Sequence, residues 1–237
     1  MKVIVINGSP KTNGGNTQII VNSFTEGLKK GNAEVKEYHL SNKDVNHCTG
    51  CFDCWTKHPG TCRFKDDMPK MIYDLLDSDY CILSTPVYGA LMTGYLKNFL
   101  DRLLPLASPY ISKNEDGTFY HEGRVCKYPR FIIISTAGFP GDRNFDFIKA
   151  YFDNLKPVFE IYRNSAGVLD ATRSDGEELY NTIEEFKRSV KEAGYEFALN
   201  TKIQQSTIDS INRRLLSDDE YMKIVNNYWD ENVKEAS

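Results

Sequence analysis

Long hydrophobic runs are missing from this sequence of 237 residues. No stretch of about 18 consecutive apolar residues occurs, so we expect no transmembrane helix and no membrane partner. The apolar stretch near the amino terminus, residues 3–6, is too short for the apolar core of a signal peptide. We therefore expect a cytoplasmic protein.

An excess of basic residues is also missing, since the formal net charge is −4 at pH 7. This balance gives no support to nucleic-acid binding. Hydrophobic residues make up 41% of the chain and charged residues 26%, with 16 Gly and 9 Pro, which excludes collagen-like, low-complexity and disordered proteins. The length predicts one large domain, or one domain with additions.

Strand and helix patterns alternate along the chain. Short runs rich in β-branched residues predict strands, and apolar residues at helical spacing predict the helices that separate them. The strands are expected at residues 2–6, 33–40, 80–85, 130–135 and 160–169, and the helices at 16–30, 66–76, 91–104, 145–155 and 175–199. This alternation is typical of an α/β fold, a doubly wound parallel sheet with helices on both faces. Ligands of such sheets bind outside the carboxyl ends of the strands.

Two segments exceed this pattern. Residues 105–128 form an insertion rich in Pro, Gly, Tyr and charge, with a hairpin expected near Asp116 and Gly117. Residues 204–232 are charged and helical in pattern. We therefore expect a domain over residues 1–200 and a C-terminal helical extension over residues 201–237.

The loop after the first strand is dense in glycine, amide and hydroxyl groups, and a helix follows it directly. Backbone N–H groups and the helix dipole favour an anion at such a position, so we expect a phosphate there. Ser9, Asn16 and Thr17 can donate to it, and Lys11 can balance its charge. Neither the dinucleotide fingerprint nor the NTPase P-loop pattern is present. The alternative is an ordinary helix start with Asn16 or Thr17 as the N-cap.

The loops after the third and fourth strands combine rigid and small residues. Pro86 stiffens the first of these loops, Tyr88 offers a flat surface, and Gly89 allows close backbone approach. The second loop, residues 135–138, is made of small residues that let a planar ligand lie against the backbone. Either loop alone is also compatible with ordinary turn chemistry.

Together these motifs resemble the NADPH-dependent FMN reductase family of flavodoxin-like proteins. The matching segments are residues 8–10, 16–17, 66–68, 85–89, 96–102 and 135–138, within roughly the first 170 residues. The resemblance implies a five-stranded sheet in the order 2-1-3-4-5 and FMN as the cofactor. It implies that the FMN phosphate binds Ser9, Lys11, Asn16 and Thr17, that the flavin ring lies against Pro86, Val87, Tyr88 and Gly89, and that its pyrimidine edge lies near Thr136, Ala137 and Gly138.

Four of the six cysteines lie within fifteen residues, at Cys48, Cys51, Cys54 and Cys62. Two consecutive Cys-x-x-Cys steps bring three thiolates onto one tight loop, as a cubane iron–sulfur cluster requires, whereas structural zinc more often uses two separated pairs. The spacing is similar to the iron–sulfur flavoprotein branch of the same family, which implies a [4Fe–4S] cluster. Free or redox-active thiols and a zinc site are the alternatives. We expect Cys81 in the core, and Cys126 either in the core or exposed.

The resemblance implies an FMN-dependent oxidoreductase. One form is an NAD(P)H-dependent reductase of flavin-type or quinone-type acceptors, and the other is an electron-transfer iron–sulfur flavoprotein with a redox protein as partner. No catalytic side chain is nominated, because hydride transfer to the flavin needs none. Relatives in the family are commonly dimers or tetramers, so we expect a homodimer or homotetramer. The alternative is a metal- or thiol-stabilised interaction module without catalytic turnover.

Overall fold

The computed structural model describes residues 1–12 and 14–235. Asn13 of the first loop, and Ala236 and Ser237 of the expected extension, lie outside the described residues. The strands are β1 (Lys2–Asn7), β2 (Glu34–His39), β3 (Tyr80–Pro86), β4 (Ala107–Lys113), β5 (Phe119–Gly123), β6 (Arg130–Thr136) and β7 (Phe159–Arg163). The helices are α1 (Asn16–Lys30), α2 (Met68–Leu76), α3 (Gly94–Asp101), α4 (Asp146–Asp153), α5 (Glu177–Asn200), α6 (Gln205–Asn212) and α7 (Asp218–Glu235).

Five strands form one parallel sheet in the order β2-β1-β3-β6-β7. Strands β4 and β5 pair only with each other, as an antiparallel hairpin in the insertion. When the hairpin is set aside, the order of the remaining strands is 2-1-3-4-5, so the predicted topology is confirmed. The carboxyl ends of β1, β3 and β6 are neighbours at one edge of this sheet.

Helices cover both faces of the sheet because the central strands are apolar on both sides. Along β1, Val3 and Val5 pack into the core beneath α1 and α5. Ile4 and Ile6 pack into the opposite core, beneath α2, α3 and α4. Cys81 is fully buried in that second core, as predicted, whereas Cys126 is exposed. None of the helices in the described part of the chain is long and apolar enough to cross a membrane.

Some element boundaries differ from the sequence prediction. The third helix begins at Gly94 rather than near residue 91, because the Thr93 side chain accepts a hydrogen bond from the backbone N–H of Leu96 and caps the helix there. The last sheet strand ends at Arg163, since Ser165 adopts a left-handed conformation with φ of 49°. The C-terminal helical pattern divides into α6 and α7, and the domain boundary at residue 200 stays a prediction.

Helices α1 and α5 approach closely because both carry a glycine at the contact. A Cβ atom on Gly27 would lie 1.9 Å from the carbonyl oxygen of Lys191. A Cβ atom on Gly194 would lie 2.1 Å from the carbonyl oxygen of Phe24. Both neighbours are backbone atoms that cannot rotate away, so only glycine fits these positions.

We therefore expect Gly27→Ala to destabilise the protein by about 1–3 kcal/mol, the range typical of overpacked cores. Alanine has a higher helix propensity than glycine, so propensity alone predicts that Gly27→Ala stabilises the protein. The measurement is the free energy of unfolding in urea. Gly94→Ala is the control, because a Cβ there would meet no described atom within 4 Å. Equal stability of the two variants would contradict the close helix contact.

Candidate functional site at the carboxyl edge of the sheet

The loop after β1 is held in a tight conformation by its own polar groups. The backbone N–H of Ser9 donates to Oδ1 of Asn7 at 2.9 Å, and the N–H of Lys11 donates to Oγ of Ser9 at 3.3 Å. Ser9 is buried, whereas Lys11 is exposed. A Cβ on Gly8 would lie 2.6 Å from Cβ of Leu96, so glycine is required where this loop passes α3.

Helix α1 begins without a side-chain cap. Its N-cap residue is Gly15, and no side chain among the described residues caps it. The alternative in which Asn16 or Thr17 serves as the N-cap is therefore wrong, because the helix starts at Asn16 itself. The first-turn N–H groups lack an acceptor from a capping side chain, and an anion can take that place.

The three predicted loops meet at Thr136. The hydroxyl of Thr136 lies 2.7 Å from the hydroxyl of Thr17, at the start of α1, and both groups are buried. The carbonyl oxygen of Thr136 accepts a hydrogen bond of 2.7 Å from the backbone N–H of Val87, in the loop after β3. The structure therefore brings together one predicted residue from each of the three segments, Thr17, Val87 and Thr136.

Tyr88 stands on a tight turn that presents its ring to solvent. The backbones of Tyr88 and Leu91 bond to each other in both directions, at 2.8 and 3.1 Å. Between them Gly89 and Ala90 both have positive φ, 56° and 68°, as in a type I′ turn. Tyr88 is 54% exposed, so a planar ligand can reach it.

Residues 137–138 contact parts of the chain that sequence reasoning did not connect with this site. The N–H of Ala137 donates to the carbonyl of Arg163 at 2.9 Å, so it is not available to a ligand. The carbonyl of Gly138 accepts a hydrogen bond from the hydroxyl of Tyr221 in α7. Tyr221 is buried, and the C-terminal helix therefore supports this loop directly.

A mostly apolar cavity of about 370 Å³ lies beside these loops. Its wall includes Pro10 of the first loop, Tyr88, and Tyr95 of α3. Val45 and His47, where the cysteine-rich segment begins, also line it. Its volume is within the usual range for small-molecule sites.

The cysteine loop, residues 46–64, is closed at its base by backbone and carboxylate contacts. The N–H of Asp67 donates to the carbonyl of Asp44 at 2.9 Å, and the N–H of Asp44 donates to Oδ2 of Asp67 at 3.0 Å. The carboxylate of Asp66 accepts hydrogen bonds from the N–H of Asn46 at 3.0 Å and of Met68 at 3.2 Å. These contacts join the two ends of the loop.

A buried ion pair completes this base. Nη1 of Arg102 lies 2.6 Å from Oδ2 of Asp66, and Nη2 lies 3.2 Å from Oδ1. Nη1 also donates to the carbonyl of Asn46 at 2.6 Å. Burial alone would raise the pKa of Asp66, but the hydrogen bonds from Arg102 and Asn46 hold that pKa below its ordinary value. The sequence pattern assigned Asp66 only to a helix start and did not reveal this partner.

The four cysteines of the loop line a single cavity, which Arg63 and Arg102 also line. Cys54 is buried, and burial and the neighbouring cysteines raise the pKa of its thiol. The backbone N–H of Asp53 lowers the pKa of Cys51. None of these cysteines forms a disulfide, and no group of three or more His, Cys, Asp or Glu side chains in the described residues is arranged to hold a metal ion.

The sequence of this chain is similar to those of known proteins. Residues 1–116 match the NADPH-dependent FMN reductase family. These residues belong to that family. An iron–sulfur flavoprotein of Archaeoglobus fulgidus is 38% identical over 105 residues, which is 44% of this chain and 46% of that protein. An iron–sulfur flavoprotein of Methanocaldococcus jannaschii is 41% identical over 102 residues, which is 43% of this chain and 50% of that protein. The chain thus spans about half the length of these relatives, and the predicted resemblance is confirmed.

The fold of the chain also matches solved structures. An FMN-dependent NADH-azoreductase of Bacillus anthracis aligns with a TM-score of 0.59 and 18% identity, over 83% of this chain and 99% of that chain. At this identity the likeness shows the fold alone. It extends well beyond the part that matches by sequence.

Removal of the Asp66 carboxylate should strongly destabilise the protein. Asp66→Asn leaves Arg102 buried without its counter-ion, and such losses cost about 3–5 kcal/mol. The control is Asp101→Asn, whose exposed pair with Lys97 should contribute less than about 1 kcal/mol. Urea unfolding measures both.

The difference between wild type and Asp66→Asn should also depend on pH. The folded-state pKa of Asp66 is depressed, so its contribution is present above the unfolded pKa of about 3.9 and is lost as pH falls through the lower folded value. Unfolding free energies at pH 7 and below pH 4 test this. A difference that does not shrink on acidification would contradict the charged pair.

Proposed function

We propose that this chain is an FMN-dependent oxidoreductase that passes electrons between small-molecule or protein donors and acceptors. The observation that carries the proposal is the convergence of three loops on Thr136, beside the uncapped start of α1. Family membership of residues 1–116 supports FMN as the ligand of these loops. The alternative of a non-catalytic interaction module is not favoured, because it gives no role to the loop cluster.

The phosphate of FMN would bind at the first turn of α1. The free N–H groups there, with Ser9 and the Asn16 amide, supply donors, and the exposed Lys11 balances the charge. Thr17 contributes its backbone at the same turn, while its hydroxyl ties the loop to Thr136. These separate roles follow because Thr17 is buried and Lys11 is exposed.

The flavin ring would lie against the loop after β3. Pro86, Val87, Tyr88 and Gly89 form its wall, and Thr136, Ala137 and Gly138 border its pyrimidine edge. Because the Ala137 N–H already bonds to the sheet, this residue can shape the site but cannot donate from its backbone. When bound, FMN supplies hydride and single-electron chemistry.

We infer that Cys48, Cys51, Cys54 and Cys62 hold a [4Fe–4S] cluster. All four line one cavity, and Arg63 beside it offsets part of the negative charge of thiolates. Each iron of a cubane takes one cysteine, so the four thiols need not converge on one point as they would around a single zinc ion. Curated relatives are named iron–sulfur flavoproteins, which supports the same choice over free thiols.

The donor and acceptor would approach the flavin beside Tyr88. The cavity of about 370 Å³ is large enough for part of a nicotinamide donor such as NAD(P)H, or for a quinone-type acceptor. A homodimer or homotetramer is supported by the exposed aromatic side chains of the hairpin and of α7, such as Tyr110, Phe119 and Trp229. A cytoplasmic location fits the four clustered cysteines, because in that compartment such cysteines serve cluster or redox chemistry.

The double variant Asn16→Ala, Thr17→Ala should bind FMN at least about tenfold more weakly. It removes a phosphate donor and the hydroxyl that fixes the loop, and charge-assisted hydrogen bonds contribute roughly 1.5–3 kcal/mol each. Quenching of FMN fluorescence measures the dissociation constant. Ser23→Ala is the control, because that hydroxyl donates to the carbonyl of Ile19 within the same helix. Unchanged affinity of the double variant would refute the phosphate position.

Protein purified without oxygen should contain about four irons and four sulfides per chain. Cys51→Ser should lower both, because it removes one of the ligands. Cys126→Ser is the control, since this cysteine is exposed and outside the cavity. Analysis of iron, zinc and acid-labile sulfide decides what the four cysteines bind. Zinc without sulfide would assign a zinc site, and the absence of any metal would assign free thiols.

A further inference from the structure

Arg102 carries a buried N–H group that has no partner. Two arginines among the described residues have a buried Nε atom without a hydrogen bond, Arg102 and Arg163. Arg163 lies at the end of the edge strand β7, and its guanidinium holds the carbonyls of Ile211 and Arg213. Arg102 instead lines the cavity of the four cysteines. Both side chains therefore have a buried Nε–H without a partner, but Arg102 faces the cysteine cavity and Arg163 does not.

The guanidinium of Arg102 is fixed in position by its other contacts. Its two Nη atoms are held by Asp66 and by the carbonyl of Asn46. The ring of Phe64 lies on one side, with its centroid 5.1 Å from the guanidinium carbon. The side chain is 1% exposed, so water does not reach it from bulk solvent. Nε is thus a preoriented donor, and its burial without an acceptor is unfavourable.

The cavity that Arg102 lines presents sulfur atoms as acceptors. Its wall contains the four cysteines, and the Cys62 thiol interacts favourably with the Arg102 guanidinium. Asp66 already neutralises the positive charge of Arg102 at close range. The ion pair therefore has little net charge that could act on a group in the cavity. The oriented Nε–H group is the part of Arg102 that can act on such a group.

We propose that the Nε–H of Arg102 donates a hydrogen bond to a sulfur of the group that the four cysteines bind, and so positions this group and raises its reduction potential. The proposal rests on the proposed iron–sulfur function. When bound, the cluster would gain one negative charge on accepting an electron from the reduced flavin, and that charge would strengthen this hydrogen bond. No bond breaks, and the proton stays on Nε. Hydrogen bonds to the sulfurs are among the factors that set cluster potentials.

The first test compares Arg102→Lys with Arg163→Lys in the anaerobic holoprotein. Lysine retains the charge that pairs with Asp66 but lacks the Nε–H. We expect a more negative cluster potential in Arg102→Lys, measured by redox titration at wild-type iron and sulfide content. Arg163→Lys should keep the wild-type potential. An unchanged potential in Arg102→Lys, or equal shifts in both variants, would overturn the proposal.

The second test uses the wild-type chain, so it does not depend on the variant folding. Protein labelled with ¹⁵N-arginine is reduced and studied by pulsed electron–nuclear double resonance. We expect a ¹⁵N coupling to the cluster that disappears in Arg102→Lys. If that variant does not fold, persistence of the coupling in Arg63→Lys, which removes the other arginine of the cavity, assigns it to Arg102. Absence of the coupling in a loaded wild type would overturn the role of Arg102 while leaving the cluster in place. Failure of the wild type to take up iron would instead overturn the cluster and this role together.

Discussion

The buried pair of Asp66 and Arg102 is the constraint on which the cysteine loop depends. The loop contains neither helix nor strand between residues 46 and 64, so no ladder of backbone hydrogen bonds sets its path. One carboxylate receives the N–H groups from both ends of the loop together with a guanidinium from α3. Removing two charges from water is costly, and a buried pair adds little net stability over an apolar contact. Its value in this fold is that it defines one loop position.

The candidate site at the carboxyl edge of the sheet is formed by a different constraint. Parallel strands place their carboxyl ends at one edge, so loops distant in sequence become neighbours without any dedicated contact. The hydroxyl contact between Thr17 and Thr136 then links loops that are 119 residues apart. The cysteine loop follows β2, which lies at the border of the same sheet. Backbone topology thus brings two chemically different sites within one region of the molecule.

Much of the fold could be predicted from the sequence because the strands are short β-branched runs and the helices have a clear apolar period. The order of the strands required the resemblance to a family, since periodicity alone does not select neighbours. The boundary at Ser165 depended on one left-handed residue, and the N-cap at Gly15 on a backbone conformation; neither is visible in composition. Likewise the partner of Asp66 could not be predicted, because a buried pair across 36 residues is set by the packed structure.

Helix α3 has a consequence for the distance between the two sites. At its amino end, the hydroxyl of Thr93 donates to the carbonyl of Gly8 at 2.6 Å, in the loop assigned to the phosphate. At its carboxyl end stands Arg102, at the base of the cysteine loop. Eight helical residues span about 12 Å and are stiff along their axis. The helix therefore acts as a rigid spacer between the loop after β1 and the base of the cysteine loop. In the proposed function it would fix the separation across which an electron passes, independently of motion at the tips of the loops.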